Sequence, residues 1–490
     1  MSASLDTSFY GHPRGLQTLF FTEMWERFSY YGMRAILLLY MTAAVTAGGM
    51  GLSAADGAAI YGAYTAGVYM AAIPGGFVAD RLLGLRRAVL AGGILIALGH
   101  FCLAFGIQWV FYLGLAFIVA GTGLLKPNIS AIVGKLYTPE DVRRDAAFSI
   151  FYMGINLGAF LSPLICGWLA QSDSFKRVLG SFGLSPEHSW HWGFGAAGIG
   201  MTLGVIQYVL GGNRLMETPV VHPEKNPGLL WAKFAGACAV VIGLLYGLWD
   251  YRDWLVLIGT GVFATWFVSQ TEPGVERKRA YAVMILFVFA ALFWAGFEQA
   301  GSSLNLFGDR FTRNEIFGLS FPSSFHQSTN SVFLIILAPV FAWVWIRTGR
   351  SGTEPSSPVK FSLGLLFVGL GFAVIAVAAR ISAAGGGGAA VSPLWLTMVY
   401  LLHTIGELCL SPVGLSTMTK LAPARLAGSI MGVWFMATSV GNFVGGRVAG
   451  EFERFPLPSL FGMVCLTTMV AGLICLALTP TIKKLMGGVN

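Results

Sequence analysis

The fold follows from one stretch near the amino terminus: Leu16-Gln-Thr-Leu-Phe-Phe-Thr-Glu-Met-Trp-Glu-Arg-Phe-Ser-Tyr-Tyr-Gly-Met-Arg-Ala-Ile-Leu-Leu-Leu-Tyr40. It is apolar for most of its length and exceeds the roughly 20 residues that a helix needs to cross a bilayer. Yet Glu23, Glu26 and Arg27 are spaced i, i+3 and i+4, on one face of that helix, and Arg34 follows two turns later. Ionisable side chains are costly in hydrocarbon and usually face a bundle interior or a water-filled path. The stretch therefore predicts a membrane helix whose charged face handles ions or substrate.

The composition of the whole chain is that of a polytopic, all-α membrane protein. Of its 490 residues, 55% are apolar and 11% are charged, whereas soluble domains carry about 25% charged residues. Fourteen apolar runs are long enough to span a bilayer, near 16–46, 55–78, 86–107, 109–134, 145–171, 191–211, 229–248, 254–270, 280–304, 325–346, 361–380, 392–420, 426–450 and 458–480. No Walker A loop, HExxH helix or GxSxG elbow is present. We expect no enzymatic activity, no cofactor and no metal site.

The distribution of basic residues predicts the orientation. Of the 31 Lys and Arg residues, 19 fall in the two tails and the loops on one side, 7 in the opposite loops and 5 within spans. By the positive-inside rule both termini are cytoplasmic. This bias also explains the net charge of +8 without nucleic acid.

Polar linkers divide the chain into two halves around an inserted pair of helices. We predict a cytoplasmic tail at 1–15, a six-helix bundle at 16–211, a linker with two inserted helices at 212–279, a second six-helix bundle at 280–480 and a cytoplasmic tail at 481–490. Two six-helix halves are the layout of the major facilitator transporters, whose substrate site lies near the membrane midplane between them.

Arg34 and three further charges within spans fall at matching depths. Arg34 and Glu298 each lie roughly 17 to 19 residues from the cytoplasmic start of their helix, or about 27 Å, which places both in the outer half. Lys126 and Glu407, on helices that enter from outside, belong in the inner half. One cross-half ion pair on each side of a cavity would form two alternating gates. A fixed ion pair that stabilises packing remains the alternative for any single pair.

The same charges suit a proton-driven carrier of zwitterions. Protonation of a carboxylate beside an Arg can switch such a pair, and an inward proton gains about 2.3 kcal/mol per 100 mV of membrane potential. Opposite poles would hold the carboxylate and ammonium ends of a zwitterion, while aromatic side chains accept varied apolar groups. The polar and aromatic candidates are Tyr30, Tyr31, Tyr69, Tyr152, Asn156 and Trp434.

These residues resemble the proton-dependent oligopeptide transporter (POT) family of the major facilitator superfamily, in its prokaryotic form. The resemblance rests on four motifs: Glu23-Met-Trp-Glu-Arg27 (ExxER), Gly75-Gly-Phe-Val-Ala-Asp-Arg-Leu-Leu-Gly-Leu-Arg-Arg87, Phe151-Tyr-Met-Gly-Ile-Asn-Leu-Gly-Ala159 and Gly406-Glu-Leu-Cys-Leu-Ser-Pro-Val-Gly-Leu-Ser416. It implies a major facilitator fold of twelve core helices plus two inserted ones, in the bacterial inner membrane. It also implies inward symport of di- and tripeptides with protons, and we expect the chain to function as a monomer.

The resemblance also implies a role for each matching residue. Arg34, with Lys126, would bind the peptide carboxylate, and Glu407, Asn156 and Asn330 would bind the amino terminus. Tyr30, Tyr69, Tyr152, Ser411 and Trp434 would line the pocket. Glu23, Glu26, Arg27 and Glu298 would couple protons, with Arg34 to Glu298 and Lys126 to Glu407 as the outer and inner gate pairs.

Two positions depart from, or lie outside, the family pattern. Gly62 stands where animal members of the family carry a proton-handling histidine, so coupling here must rest on carboxylates. His403 lies one turn before Glu407 and matches no family motif; we interpret it as a packing or hydrogen-bonding residue.

Two other functions compete with peptide symport. A plant branch of the family moves nitrate and other anions, so a proton-coupled symporter of a small anion is the nearest alternative. The intact ExxER run and Glu407 weigh against it, because a purely anionic substrate would not need them. A channel or a signalling receptor is a more distant possibility, which the two-half layout disfavours.

Overall fold

The computed structural model describes residues 6–138, 141, 143–216, 220, 226, 228–233, 236, 249–386, 389–421 and 426–488. Its helices are α1 (Arg14–Thr42), α2 (Ala54–Met70), α3 (Ala72–Val78), α4 (Leu85–Leu103), α5 (Gln108–Lys135), α6 (Arg143–Gln171), α7 (Asp173–Ser181), α8 (Ser189–Leu210), α9 (Arg252–Ser269), α10 (Val275–Phe297), α11 (Ser303–Arg310), α12 (Ser328–Arg350), α13 (Ser357–Ala384), α14 (Leu394–Leu421), α15 (Ala427–Gly450) and α16 (Leu457–Met486). Two short strands, β1 (Glu315–Ile316) and β2 (Leu319–Ser320), form an antiparallel hairpin.

Helices lie where the apolar runs predict them throughout the described part of the chain. The seventh predicted span, 229–248, lies mainly outside the described residues, so the count of fourteen stays a prediction. Within the described residues, nine helical stretches are long and apolar enough by themselves to cross a membrane. Helix α1 is not one of them, because four charged side chains between Glu23 and Arg34 interrupt its apolar sequence.

Two predicted spans are divided in the structure. The span at 55–78 is split between α2 and α3 at Ala71, because Pro74 has no N–H to donate to the preceding turn. The span at 280–304 begins earlier, at Val275, and α10 ends at Phe297. A 3₁₀ turn at Glu298–Gly301 follows, and Ser302 leaves helical geometry with φ −126° and ψ −99° before α11 begins.

The helices pack as two bundles. In the first, α1 packs against α6 and α8, and α4 packs against α5 and α8; in the second, α13 packs against α14 and α16, and α10 against α15. Small residues allow the close approach that membrane helices need: a Cβ added at Gly121 of α5 would lie 2.6 Å from the Gly92 carbonyl oxygen of α4. The bundles meet along α2 with α15 and along α6 with α12.

At one point the backbones of the two bundles touch directly, glycine against glycine. A Cβ added at Gly62 of α2 would lie 2.9 Å from Gly446 Cα of α15, and one added at Gly446 would lie 2.7 Å from Gly62 Cα. Close by, Ser439 Oγ donates to the Ala66 carbonyl oxygen at 2.9 Å. A side chain as large as histidine therefore has no room at position 62 while the bundles touch here.

This contact predicts the effect of adding a single methyl group. Gly62→Ala should destabilise the protein by about 1–3 kcal/mol. The added methyl group would clash with the Gly446 backbone, which would have to shift to make room for it. Thermal unfolding of the purified protein in detergent measures the change.

Gly67→Ala on the same helix is the matched control, since its Cβ would make ordinary contacts of 3.6 Å with Val119. It should leave the melting temperature unchanged or raise it slightly. Equal melting temperatures for the two variants would contradict a tight contact at Gly62.

Candidate functional site

The charged turn of α1 is a compact, buried cluster. Arg27 pairs with both carboxylates: its Nη2 donates to Glu26 Oε1 at 2.6 Å, its Nε also bonds Glu26, and its Nε lies 3.4 Å from Glu23 Oε1. All three side chains are at most 4% exposed. Within the described residues, Glu23 Oε2 has no hydrogen-bond partner. Two carboxylates thus compensate one guanidinium, and one carboxylate oxygen stays available.

A second ion pair joins the two bundles. Arg34 Nη2 of α1 lies 2.5 Å from Glu298 Oε2, in the 3₁₀ turn after α10, and both side chains are nearly fully buried. Arg34 Nε also donates to the Tyr61 hydroxyl of α2 at 2.6 Å. Gly301 is required here, since a Cβ at this position would lie 1.8 Å from the Tyr61 hydroxyl and 2.9 Å from Arg34 Nε. The predicted outer pair is therefore formed.

The predicted inner pair is not formed between Lys126 and Glu407, both of which the structure describes. Lys126 Nζ lies over the ring of Tyr69, 4.2 Å from its centroid, a cation–π contact. Glu407 Oε2 instead accepts a hydrogen bond from Asn330 Nδ2 at 3.3 Å. The structure therefore has one cross-bundle pair closed and the other apart.

These side chains surround one central cavity between the bundles, with an empty volume of about 1270 Å³ when its opening to solvent is included. Among its lining residues are Glu23, Arg27, Arg34, Tyr69, Lys126, Tyr152, Asn156, Glu298, Asn330, Glu407, Ser411 and Trp434. Its charged lining residues are three carboxylates and three cations, so the formal charges balance. The cavity can therefore hold a molecule with both a positive and a negative end.

Two residues that the sequence assigned to the site do not line this cavity. Glu26 and Tyr30 are buried on an adjacent face of α1, whereas Tyr31 does line the cavity. Glu26 pairs with Arg27 from behind, and the Arg27 guanidinium carbon lies 5.1 Å from the centre of the Tyr30 ring. Both residues therefore contact the site through Arg27.

Sequence reasoning missed other members of the site. Trp294, Phe297, Gln327, Tyr400 and Phe435 line the cavity, but a polar or aromatic residue in an apolar helix gives no sign of which face it occupies. His403 also lines it. Its ring packs against Phe372 with centroids 5.2 Å apart, consistent with the predicted packing role.

The bundles are also tied together beyond the Arg34–Glu298 pair, at the end of the molecule where α1 ends and α2 begins. Glu453 accepts hydrogen bonds from Arg310 Nη1 at 2.6 Å and from the Ala54 backbone N–H at 3.3 Å. The Arg310 hydrogen bond is the main reason that the pKa of Glu453 is lowered. Gln171 Nε2 donates to Ser323 Oγ at 2.8 Å, again across the bundles. These hydrogen bonds hold the two bundles together at this end of the molecule.

Comparison with known proteins identifies the chain. A family model described as the POT family matches residues 86–462. This chain belongs to the POT family. Among curated relatives, the uncharacterized transporter YclF of Bacillus subtilis is 42% identical, covering 98% of this chain and 96% of its own. The peptide transporter YePEPT of Yersinia enterocolitica is 40% identical with the same coverage, and the di-/tripeptide transporter of Lactococcus lactis subsp. cremoris is 37% identical with 99% of each chain covered.

Solved structures of POT family proteins have the same fold as this chain. A crystal structure of the peptide transporter POT, as a mutant in complex with alafosfalin, has a TM-score of 0.87 and 41% identity, covering 99% of this chain and 98% of its own. A POT family transporter in complex with 5-aminolevulinic acid has a TM-score of 0.85 and 34% identity, covering 97% and 98%. The predicted class, an all-α multi-pass membrane protein with the major facilitator fold, is confirmed.

The hydrogen bond from Arg34 to the Tyr61 hydroxyl should contribute to the stability of the protein. Tyr61→Phe should lower the free energy of unfolding by about 1–3 kcal/mol, because it removes an acceptor from the buried Arg34 guanidinium. Thermal or denaturant unfolding of the purified protein measures it.

Tyr64→Phe is the control on the same helix, because the buried Tyr64 hydroxyl has no hydrogen-bond partner within the described residues. That change should be neutral or stabilising. If both variants lost the same stability, the Tyr61–Arg34 bond would not be the cause.

Proposed function

We propose that this POT family member is a proton-coupled symporter that imports di- and tripeptides by alternating access. The observation that carries the proposal is the charge balance of the central cavity, where Glu23, Glu298 and Glu407 face Arg27, Arg34 and Lys126. A peptide is a zwitterion, so its two ends need opposite charges within one enclosed space. Two of the relatives are named peptide transporters, which supports the same substrate class.

The cavity offers a separate pole for each end of the peptide. Arg34 and Lys126 would bind the carboxylate, and Lys126 is suited to this because its present neighbour is an aromatic ring rather than a carboxylate. Glu407 and Asn330, already hydrogen bonded to each other, would bind the ammonium group. Asn156 would also contact the ammonium group of the peptide. The peptide side chains would contact Tyr69, Tyr152, Ser411 and Trp434. Tyr30 would act from behind this lining.

The α1 cluster would carry the proton. Glu23 lines the cavity and keeps one carboxylate oxygen unpaired, so a proton can reach it from the substrate side. Glu26 holds Arg27 from behind, so that protonation of Glu23 leaves the guanidinium compensated. Glu298 would be the second coupling site, because its protonation would release Arg34.

The two gate pairs would alternate. In this structure Arg34 and Glu298 are paired while Lys126 and Glu407 are apart, which is the arrangement expected with the outer side closed. Opening the outer side would separate the first pair and bring the second together. The direction of import rests on the positive-inside orientation, with both termini cytoplasmic and the protein in the bacterial inner membrane.

We further propose that the transporter works as a monomer. The support for this is that the two bundles of a single chain enclose the cavity and supply both its carboxylates and its cations. The proposal keeps the predicted domain organisation, in which six-helix bundles at 16–211 and 280–480 would form the transport core and the inserted helices of 212–279 would lie outside it.

The small-anion alternative fits the cavity less well. An anion there would face the carboxylates of Glu23, Glu298 and Glu407 as well as the three cations, and it would leave Glu407 without an ionic partner. No observation in the described part of the chain favours it.

Uptake by proteoliposomes tests the function. An inward proton gradient should drive dialanine accumulation, and tripeptides should compete with it. Transport of nitrate without dialanine uptake would reject the proposal.

Glu23→Gln separates coupling from binding. The variant should lose gradient-driven uptake while keeping peptide exchange at equal proton activity, because the amide cannot take up a proton. Glu187→Gln, which removes an exposed loop carboxylate, is the control and should keep both. Equal loss of uptake and exchange in Glu23→Gln would indicate a structural ion pair instead.

Blocked peptides test the ammonium pole. N-acetyl-dialanine should compete at least tenfold more weakly than dialanine for the wild type, because Glu407 would then face no positive charge. In Glu407→Gln the two competitors should differ far less. If the two competitors differed as much in Glu407→Gln as in the wild type, Glu407 would not be the residue that binds the ammonium group.

A further inference from the structure

Two consecutive residues at the end of α11 direct contacts from the second bundle to the first. Arg310 Nη1 donates a hydrogen bond to Glu453 Oε1 at 2.6 Å. Asp309 Oδ1 accepts a hydrogen bond from Ser323 Oγ at 2.7 Å. Glu453 and Ser323 each contact the first bundle in turn, so the end of α11 orients both of these contacts.

Glu453 binds the start of α2. The Ala54 N–H, the first of this helix, donates to Glu453 Oε2 at 3.3 Å, while Ser53 Oγ accepts a capping hydrogen bond from the Asp56 N–H at 3.1 Å. The first N–H groups of a helix have no acceptor within it, and the positive end of the helix dipole attracts a carboxylate. The second bundle therefore supplies a further cap for a helix of the first.

Gln171, at the end of α6, forms a second contact between the bundles. Its Nε2 donates to Ser323 Oγ at 2.8 Å, and its Oε1 accepts from the Ser324 N–H at 3.2 Å. These two serines begin a 3₁₀ turn, Ser323–Gln327, that precedes α12. One turn earlier on α6, a Cβ added at Gly167 would overlap the Ser324 hydroxyl, so the two backbones approach closely here.

We propose that the Glu453 and Gln171 contacts act together as one outer latch, which must open before the Arg34–Glu298 pair can separate. The proposal rests on the function proposed above, in which this end of the molecule opens for peptide entry. The side chains of the Arg310–Glu453 pair are 32% and 46% exposed, whereas those of Arg34 and Glu298 are 6% and 5% exposed. Exposed ion pairs contribute little to stability, but breaking a buried pair is costly. Water can therefore release the outer latch ahead of the buried pair.

The outer latch acts on the buried pair through α2. Tyr61 lies seven residues after Ala54, or about 10 Å along the helix, and its hydroxyl accepts from Arg34 Nε at 2.6 Å. Glu453 is thus a positioning residue: while it holds the start of α2, Tyr61 stays beside Arg34. Release of that start would let α2 carry Tyr61 away, and the guanidinium would lose one of the partners that hold it next to Glu298.

Hydrogen–deuterium exchange of the purified full-length protein in detergent, without substrate, tests the outer latch. In Glu453→Ala, the backbone amides of Ser323–Gln327 should exchange at least threefold faster than in the wild type. These amides belong to the Gln171 contact, so joint opening of the two contacts is what would expose them. The converse variant, Gln171→Ala, should speed exchange at 54–57, the start of α2, by a similar factor.

Ala54→Pro isolates the bond between the bundles. It removes the N–H that Glu453 accepts but leaves the Arg310–Glu453 pair, which lies within the second bundle, and proline is well tolerated at the first position of a helix. Ser53 already has extended backbone, with φ −62° and ψ 155°, as a residue before proline requires. This variant should also speed exchange of Ser323–Gln327 at least threefold.

Glu451→Ala is the matched control. Glu451 lies in the same connection between α15 and α16, but its carboxylate pairs with Arg454 of that connection and so within one bundle. Exchange should stay at the wild-type rate in both regions. Equally fast exchange in Glu451→Ala and Glu453→Ala would show a general charge effect and would overturn the outer latch.

Two other results would also contradict it. If Glu453→Ala sped exchange only at the start of α2, Glu453 would be a local helix cap. If exchange rose across the whole chain as the melting temperature fell, these contacts would serve stability alone. Because no substrate is present, a failure of dialanine uptake would refute the proposed function without changing these rates. Normal dialanine uptake by the wild type, with unchanged exchange in Glu453→Ala, would refute the latch alone.

Discussion

Compensation of buried charge is the constraint on which this structure depends. A lone guanidinium or carboxylate in the membrane interior is costly, and breaking a buried pair leaves the remaining partner uncompensated. Arg27 is held by two carboxylates on its own helix, but Arg34 finds its partner, Glu298, on the other bundle. Two kinds of contact therefore hold the bundles together at different depths: the Arg34–Glu298 ion pair at one, and the packing of Gly62 against Gly446 at the other.

The two cross-bundle pairs differ in a way that relates structure to transport. Arg34 has Glu298 and the Tyr61 hydroxyl around it, whereas Lys126 contacts aromatic rings and Glu407 contacts an amide. A zwitterion placed between them would supply the charges that these last two residues lack. In the proposed cycle, substrate binding and gate formation would use the same side chains, so Lys126 and Glu407 could pair with the substrate or with each other but not with both at once.

The sequence locates the charges well because an ionisable residue in an apolar run stands out. It cannot give the rotation of a helix: Glu23, Arg27, Tyr31 and Arg34 follow one stripe of α1 into the cavity, while Glu26 and Tyr30 fall on the next stripe. Nor does it reveal that α10 ends at Phe297. That break follows from a tertiary arrangement, since the space beside Gly301 is filled by Tyr61 from a different bundle, and no local propensity encodes it.

The position of Lys126 over Tyr69 bears on how fast the empty carrier can respond. A cation–π contact is worth about 2 kcal/mol when it is desolvated, which is enough to hold the ammonium group in place without a counter-ion. It is also weak enough to exchange quickly for a carboxylate. In the proposed cycle, Tyr69 would hold the Lys126 ammonium group until it pairs with a carboxylate, and the barrier to this change of partner would be low. An acidic residue at position 69 would trap the lysine instead, and turnover would slow even with every other contact intact.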